Sequence, residues 1–459
     1  MKSYELKPTY ENLLETYRNN TIDRNGDVFL FTEILNAVED GCAIALDGHW
    51  GSGKTFFIKQ VKMVLDAHNG FIARDEDVYM DDIVAVRNQH YGEKNFSLQP
   101  QVCVYYDAWE NDSDDDPVMS LVYTILNSIE TEFSFKNTDY IKAGASIMEF
   151  FSGKNWGQLI ENLKGTSPLD ALKAHKDIET LVGEFLDALI PEKGNRLVVF
   201  IDELDRCKPS YAVRLLERVK HYFSNENITF VFSVNTNELQ HTIKKHYGDG
   251  FDGSRYLDRF FDLRVTLPPP NLKRYFQSIG FNDGKYTFDI VCAAVIKAYG
   301  FELREIAKFI RLAKIAAYEP THGGYSFSFN EGRALQFCLH CVVPVMIGLR
   351  VQNAKRYADF VEGRDASSLA EILGETTLLG FSELLNRNET FDDSDPNKTT
   401  VTLEEKLKAL YEAIFTTTYS ESNRQYHTMI GNMEFTAQTK GVLMRISSLL
   451  SEYANFDVD

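Results

Sequence analysis

The run Gly48-His-Trp-Gly-Ser-Gly-Lys54-Thr55 holds the residue types that grip a phosphate, with four residues between Gly48 and the Gly53 that precedes a lysine and a threonine. Glycines let backbone N–H groups turn inward around an anion, and a helix starting near Lys54 adds the positive end of its dipole. Lys54 is then placed to reach the β- and γ-phosphates of a nucleotide, and the Thr55 hydroxyl to ligate Mg²⁺. The candidate nucleotide-binding residues are Gly48, Trp50, Gly51, Ser52, Gly53, Lys54, Thr55 and Phe56; Trp50 is expected to pack against the domain or the adenine side rather than to do chemistry. A second group closes the apolar run Leu197-Val-Val-Phe-Ile201: Asp202 to hold the metal shell with Thr55, and Glu203 to polarise an attacking water. That glutamate favours hydrolysis over transfer to a small molecule, because a kinase must keep water away from the γ-phosphate.

Other candidates carry a bland reading beside the functional one. Asn235, after Ser233-Val234, could orient the water or sense the γ-phosphate, and is equally a good turn residue. Arg206, Arg259 and Arg304 are candidate γ-phosphate cations, although exposed or ion-paired arginines are common among 48 basic residues. Cys338, His340 and Cys341 supply half of a zinc pattern with no second half, which favours core packing. The acidic run Glu110 to Asp116, followed by Pro117, reads as a solvated turn rather than a metal site.

Positioning these groups takes strands and helices in a fixed order. Gly41 to Asp47, Val102 to Tyr106, Leu197 to Ile201, Ile228 to Val234 and Leu263 to Leu267 are apolar runs fit for strands buried in a parallel sheet. Phe56 to Leu65 and Tyr211 to Phe223 have helical spacing between them, so an α/β fold is expected: about five parallel strands sandwiched by helices over residues near 30 to 270. Pro117 to Gly194 is helical in period and reads as an insertion. Pro268-Pro-Pro270 ends the sheet, and the spacing beyond it is mostly helical, with Thr402 and Glu405 in capping-box positions. Asp392 to Lys398 reads as a loop. The domains expected are a nucleotide-binding core over 1–270, with the helical insertion at 117–194, a lid-like helical subdomain over 271–320 and a C-terminal helical domain over 321–459.

Bulk properties narrow the field. A chain of 459 residues is long enough for two or three packed units, and a net charge of -19 removes bulk attraction to nucleic acid or anionic lipid. Six scattered cysteines make no disulfide framework, so a cytoplasmic protein is expected. The first residues lack a signal-peptide core. The nearest membrane candidate, Phe337 to Leu349, is short and contains His340 and Pro344, which points to a buried core helix and no membrane insertion.

Four segments together resemble the KAP family of P-loop NTPases, bacterial soluble type: Gly48 to Thr55, Tyr106-Asp-Ala-Trp-Glu-Asn111, Ile201-Asp-Glu-Leu-Asp-Arg-Cys207 with Pro209, and Leu303-Arg-Glu-Ile-Ala-Lys-Phe309. Many members carry membrane helices where this chain has Pro117 to Gly194, which contains no apolar run of that length. The resemblance implies ATP as nucleotide, Mg²⁺ as cofactor, and a sheet order and hydrolytic machinery similar to AAA+ and STAND-type ATPases. By the same resemblance Asn235 is a sensor, Arg304 a second-domain residue facing the nucleotide, and Arg259, within Tyr256 to Phe261, a finger residue acting in cis or in trans. The function implied is an ATP-driven conformational switch or assembly motor, working as a homo-oligomer or with a partner effector, with antiphage defence as the setting by family analogy. The alternative is a nucleotide-binding scaffold with little turnover.

Overall fold

The computed structural model describes residues 7–72, 79–92, 97–132, 180–278, 286–322, 332–381, 402–419 and 426–443, apart from a few positions inside those stretches. Most of the expected insertion and the Asp392 to Lys398 loop lie outside the described residues. The chain divides into two compact units, Lys7–Asn271 and one that takes in Leu272–Asp459.

In the first unit the β-branched and aromatic runs form five strands: β1 (Cys42–Asp47), β2 (Gln101–Asp107), β3 (Arg196–Asp202), β4 (Ile228–Val234) and β5 (Leu263–Thr266). Every neighbouring pair is parallel, in the order β2-β3-β4-β1-β5. β3 and β4 are buried at all their positions, as near-continuous apolar strands covered on both faces must be. β4 lies between β1 and β3, and the register aligns the strand ends. Asp107 is level with Asp202, Asp202 with Ser233, and Asp47 with Val234. The chemistry-bearing residues at the carboxyl ends therefore share one edge of the sheet, where ligands sit in open α/β folds.

The covering helices include α1 (Tyr10–Asn19), α2 (Asn25–Ala37), α3 (Lys54–His68), α4 (Tyr79–Tyr91), α5 (Pro117–Glu132), α6 (Pro209–Tyr222) and α7 (Thr236–Tyr247). α6 begins with proline at its first turn, where the missing N–H costs nothing. Tyr211 on α6, Tyr106 on β2 and Ser120 on α5 join hydroxyls in the buried layer between helices and sheet, the Tyr106–Tyr211 and Tyr106–Ser120 separations being 2.5 and 2.7 Å. This pins α5 and α6 over the strand that carries Asp107.

The second unit contains α8 (Leu272–Ser278), α9 (Thr287–Tyr299), α10 (Leu303–His322), α11 (Gly332–Gln352), α12 (Ala354–Val361), α13 (Ser367–Leu373) and α14 (Leu403–Phe415). Thr402 and Glu405 form the expected reciprocal capping box at the start of α14. A hairpin of β6 (Thr428–Ile430) and β7 (Met433–Phe435) was not expected from the helical spacing. The apolar stretch Phe337 to Leu349 is also part of a longer helix than its own length suggests. It is the middle of α11, which runs through a π-helical turn at Cys338–Val342 and by length and composition could cross a membrane. Most of its apolar window is buried inside the protein, including Cys338 and Cys341. Pro344 falls in the first turn after the π-helical segment, so α11 continues past it.

Candidate nucleotide site

β1 ends at Asp47 and the chain turns at once into the phosphate loop. Gly48 N donates to Val234 O at 3.2 Å, which anchors the loop to the neighbouring strand. A Cβ on Gly48 would stand 2.9 Å from Ser52 Oγ and 3.4 Å from Lys54 Cγ, crowding the side chains that line the cradle. Gly53 caps α3 at φ 89°, a left-handed conformation that side chains disfavour. The N–H groups of the first turn of α3, from Lys54 to Phe56, have no intrahelical acceptor and point toward the loop, a ready anion site. Ser52 Oγ is buried without a hydrogen-bond partner. Phe56 is itself buried, so it can offer a nucleotide no more than its backbone N–H.

Lys54 Nζ donates to Gly48 O at 2.7 Å and to His49 O at 3.2 Å, holding the ammonium over the loop. Burial pushes its pKa down, against the pull of Asp205, Asp202, Glu203 and Asp47. The loop is also held from outside. Arg24, 2% exposed between α1 and α2, donates through Nη1 to Ser52 O at 2.8 Å and through Nη2 to Pro268 O at 2.5 Å.

The acidic end of β3 meets the loop directly. Thr55 Oγ1 donates to Asp202 Oδ2 at 2.6 Å, and Tyr105 OH donates to the same oxygen at 3.1 Å. Asp202 Oδ1 accepts Glu203 N at 3.1 Å, so this carboxylate, 1% exposed, is fixed on both oxygens. A threonine hydroxyl and an aspartate carboxylate in contact are hard oxygen donors of the kind Mg²⁺ takes, so the residues fit that ion. Glu203 sits at φ 59°, ψ 23°, a left-handed conformation that costs a residue bearing a Cβ about 1–3 kcal/mol. Burial and the adjacent Asp202 push its pKa up to about 7, against the pull of Arg206. Arg206 Nε lies 2.6 Å from Glu203 Oε2, and its guanidinium lies over the Trp109 ring, 5.6 Å from the centroid.

Asp205 joins the loop to the neighbouring strand end. Its Oδ2 accepts Trp50 Nε1 at 2.6 Å and Asn235 N at 3.2 Å, while Oδ1 is buried without a partner. Burial raises its pKa. Trp50 is therefore tied to the acidic turn through its indole N–H, and the residue is 47% exposed.

The structure brings Lys54, Thr55, Asp202, Glu203 and Asn235 to one edge of the sheet. Asn235 Oδ1 caps α7, accepting Asn237 N at 3.2 Å and Glu238 N at 3.4 Å, so its carbonyl does a turn residue's work and its NH₂ remains the group for a sensor role. Arg259 is corrected as a residue of its own chain's site. It precedes β5, and with Gly41, Cys42 and Ile228 it lines a cavity of about 300 Å³ at the amino ends of the strands, the edge opposite the phosphate loop. Arg304 stands exposed on the first turn of α10 in the second unit. The acidic run after Trp109 is structural where it is described: Asp112 accepts Lys208 N at 3.2 Å and Asp116 Oδ1 accepts Val118 N at 2.9 Å. Among the described residues no group of three or more His, Cys, Asp or Glu side chains gathers in a way that could hold a metal ion. Sequence reasoning gave no role to Arg24, Tyr105 or Asp205. Asp205 was visible within Asp-Glu-Leu-Asp-Arg-Cys, and Tyr105 only through its place on a strand next to β3.

The model of the KAP family P-loop domain matches residues 30–279. An uncharacterized protein of Methanocaldococcus jannaschii is 26% identical over 164 residues, covering 27% of this chain and 84% of that protein. Among solved structures the chain is similar to the Aeropyrum pernix ORC2 protein, with 14% identity and a TM-score of 0.32 over 86% of this chain and 95% of that one. It is also similar to C. elegans PCH-2, with 13% identity and a TM-score of 0.21 over 76% and 69% of the two chains.

Proposed function

Because the chain belongs to the KAP family of P-loop NTPases, we propose that it binds ATP with Mg²⁺ and hydrolyses it to drive a conformational switch or an assembly. The observation that carries this reading is the 2.6 Å hydrogen bond from Thr55 to Asp202, which joins the phosphate loop to the acidic strand end. Mg²⁺, held by Thr55 Oγ1 and Asp202, would supply positive charge to the β- and γ-phosphate oxygens. The backbone N–H groups of the loop and the first turn of α3 bind the phosphates, and Lys54 leaves the carbonyls of Gly48 and His49 to meet them. Glu203 takes a proton from the attacking water as its oxygen bonds to the γ-phosphorus and the bond to the β,γ-bridging oxygen breaks, releasing ADP. A carboxyl whose pKa is raised toward neutrality is suited to that proton. Asn235 NH₂ orients the water or reads the γ-phosphate.

In this reading Arg259 serves only a neighbouring copy's nucleotide, which makes a homo-oligomer the working form. KAP-type likeness suggests antiphage defence with a partner effector as a setting. The test is steady-state ATP hydrolysis with Mg²⁺ by the purified chain, Lys54→Ala and Glu203→Gln, over a range of protein concentrations. Parent turnover that rises more than linearly with concentration and falls by about 100-fold or more in both variants supports an oligomeric ATPase. Nucleotide binding with no turnover at any concentration sinks it and leaves a nucleotide-ordered scaffold.

A further inference from the structure

The turn after β3 fixes Glu203 by more than its backbone. Arg206 follows it by three residues in a single 3₁₀ turn, and one guanidinium edge, through Nε, meets Glu203 Oε2 at 2.6 Å. The guanidinium face lies over Trp109, 5.6 Å from the ring centroid. Trp109 in turn belongs to a loop held at both ends. Its backbone N–H donates to Asp107 Oδ1 at 3.1 Å, and Asp112, three residues on, accepts the backbone N–H of Lys208 at 3.2 Å and pairs with its Nζ at 3.3 Å. The arginine is thus gripped by its own turn and by the loop after β2.

Glu203 stands among like charges. Asp202, Asp205 and Asp107 all act on it, and Arg206 is the cation that acts against them. Without that cation the carboxylate, whose side chain is 20% exposed, is free to turn toward solvent. The pairing uses Oε2, and a carboxylate has lone pairs on both oxygens, so Oε1 remains for a water hydrogen.

Resting on the hydrolytic reading above, we propose that Arg206 is a positioning residue for water attack: seated on Trp109, it holds Glu203 Oε2 so that Oε1 meets the water, and it does not itself touch the nucleotide. This differs from a γ-phosphate cation, the role open to Arg206 from sequence, because every effect of Arg206 must pass through Glu203.

A double-mutant cycle in single-turnover hydrolysis separates the two. Arg206→Ala is expected to lower kcat by about 10-fold or more, while affinity for a fluorescent ATP analogue changes by less than about 2-fold. In a Glu203→Gln background the same change should cost nothing further. Arg206→Lys, which keeps the charge without the planar face, should fall between, and Trp109→Phe should retain more turnover than Trp109→Ala. In protein without nucleotide, Arg206→Ala and Glu203→Gln should shift the emission that Trp109 contributes, read as the difference from Trp109→Phe. An additive loss in the Glu203→Gln background, an unchanged or raised kcat in Arg206→Ala, a parallel loss of nucleotide affinity and thermal midpoint, or unaltered emission would each overturn the proposal. A parent without turnover, or a Glu203→Gln variant with full turnover, defeats the hydrolytic reading itself; a parent that turns over with an additive cycle defeats only the role of Arg206.

Discussion

The two edges of the parallel sheet are built from the same strands and finished in opposite ways. At the amino ends, Arg196 is buried yet well supplied with acceptors: Nη1 donates to Asp40 O at 3.0 Å and Thr229 Oγ1 at 3.1 Å, and Nη2 to Glu39 O at 2.8 Å. At the carboxyl ends, Ser52 Oγ, Asp205 Oδ1 and Ser233 Oγ are buried without partners, against Gln101 Oε1 at the amino end of β2. The same edge carries the left-handed Glu203 and the raised carboxyl pKa values. Buried polar atoms left unsatisfied are costly, and backbone strain gathers where a ligand will meet the chain. One edge holds the fold together; the other gives up stability for a site.

That contrast can be broken by substitution. The largest effect is expected at Glu203: Glu203→Gln should lower kcat by about 10²–10⁴-fold, the usual contribution of a general base, with the thermal midpoint nearly unchanged. Arg24→Ala comes next. It removes the donors to Ser52 O and Pro268 O and should weaken ATP binding by about 10-fold, read by equilibrium binding. Arg196→Met at the opposite edge should do the reverse, costing roughly 1–3 kcal/mol of stability in denaturation while kcat of the folded protein stays the same. A change in kcat there would show that the two edges are not separate.

The smallest effect lies in the second unit and sharpens the contrast with Glu203, a carboxyl whose pKa is raised. Burial works to raise the pKa of Asp365, but hydrogen bonds from Ser367 and Ser368 and the nearby Arg356 outweigh it, and the net shift is downward. A carboxyl with a folded pKa below its unfolded value stabilises above the unfolded value, near 4, and loses that contribution as pH falls through the folded one. The thermal-midpoint difference between the parent and Asp365→Ala should therefore be full at pH 6 and shrink below about pH 4.

The sequence showed most where function is written in contiguous residues. Gly48 to Thr55 fixes a cradle by backbone geometry alone, and the five strands were readable because a strand buried on both faces must be apolar throughout. That Arg259 could not serve its own chain's site was readable in principle: it precedes a strand, and in a parallel sheet every strand starts at the same edge, away from the phosphate loop. Arg24 gave no signal, since its two acceptors lie 28 and 244 residues away and carbonyl oxygens have no residue type. The β6–β7 hairpin escaped because two three-residue strands are shorter than the window in which alternation can be told from helical spacing.

The corner at Asp23 and Arg24 also has a mechanical meaning. Asp23 Oδ2 accepts Asn271 Nδ2 at 3.0 Å, Ile22 O accepts Asn271 N at 3.1 Å, and Arg24 grips Pro268 O with one hand and Ser52 O with the other. Asn271 is the last residue of the first unit. One guanidinium therefore staples the far end of the sheet-bearing unit to the glycine loop after β1, so the corner acts as a hitch within that unit.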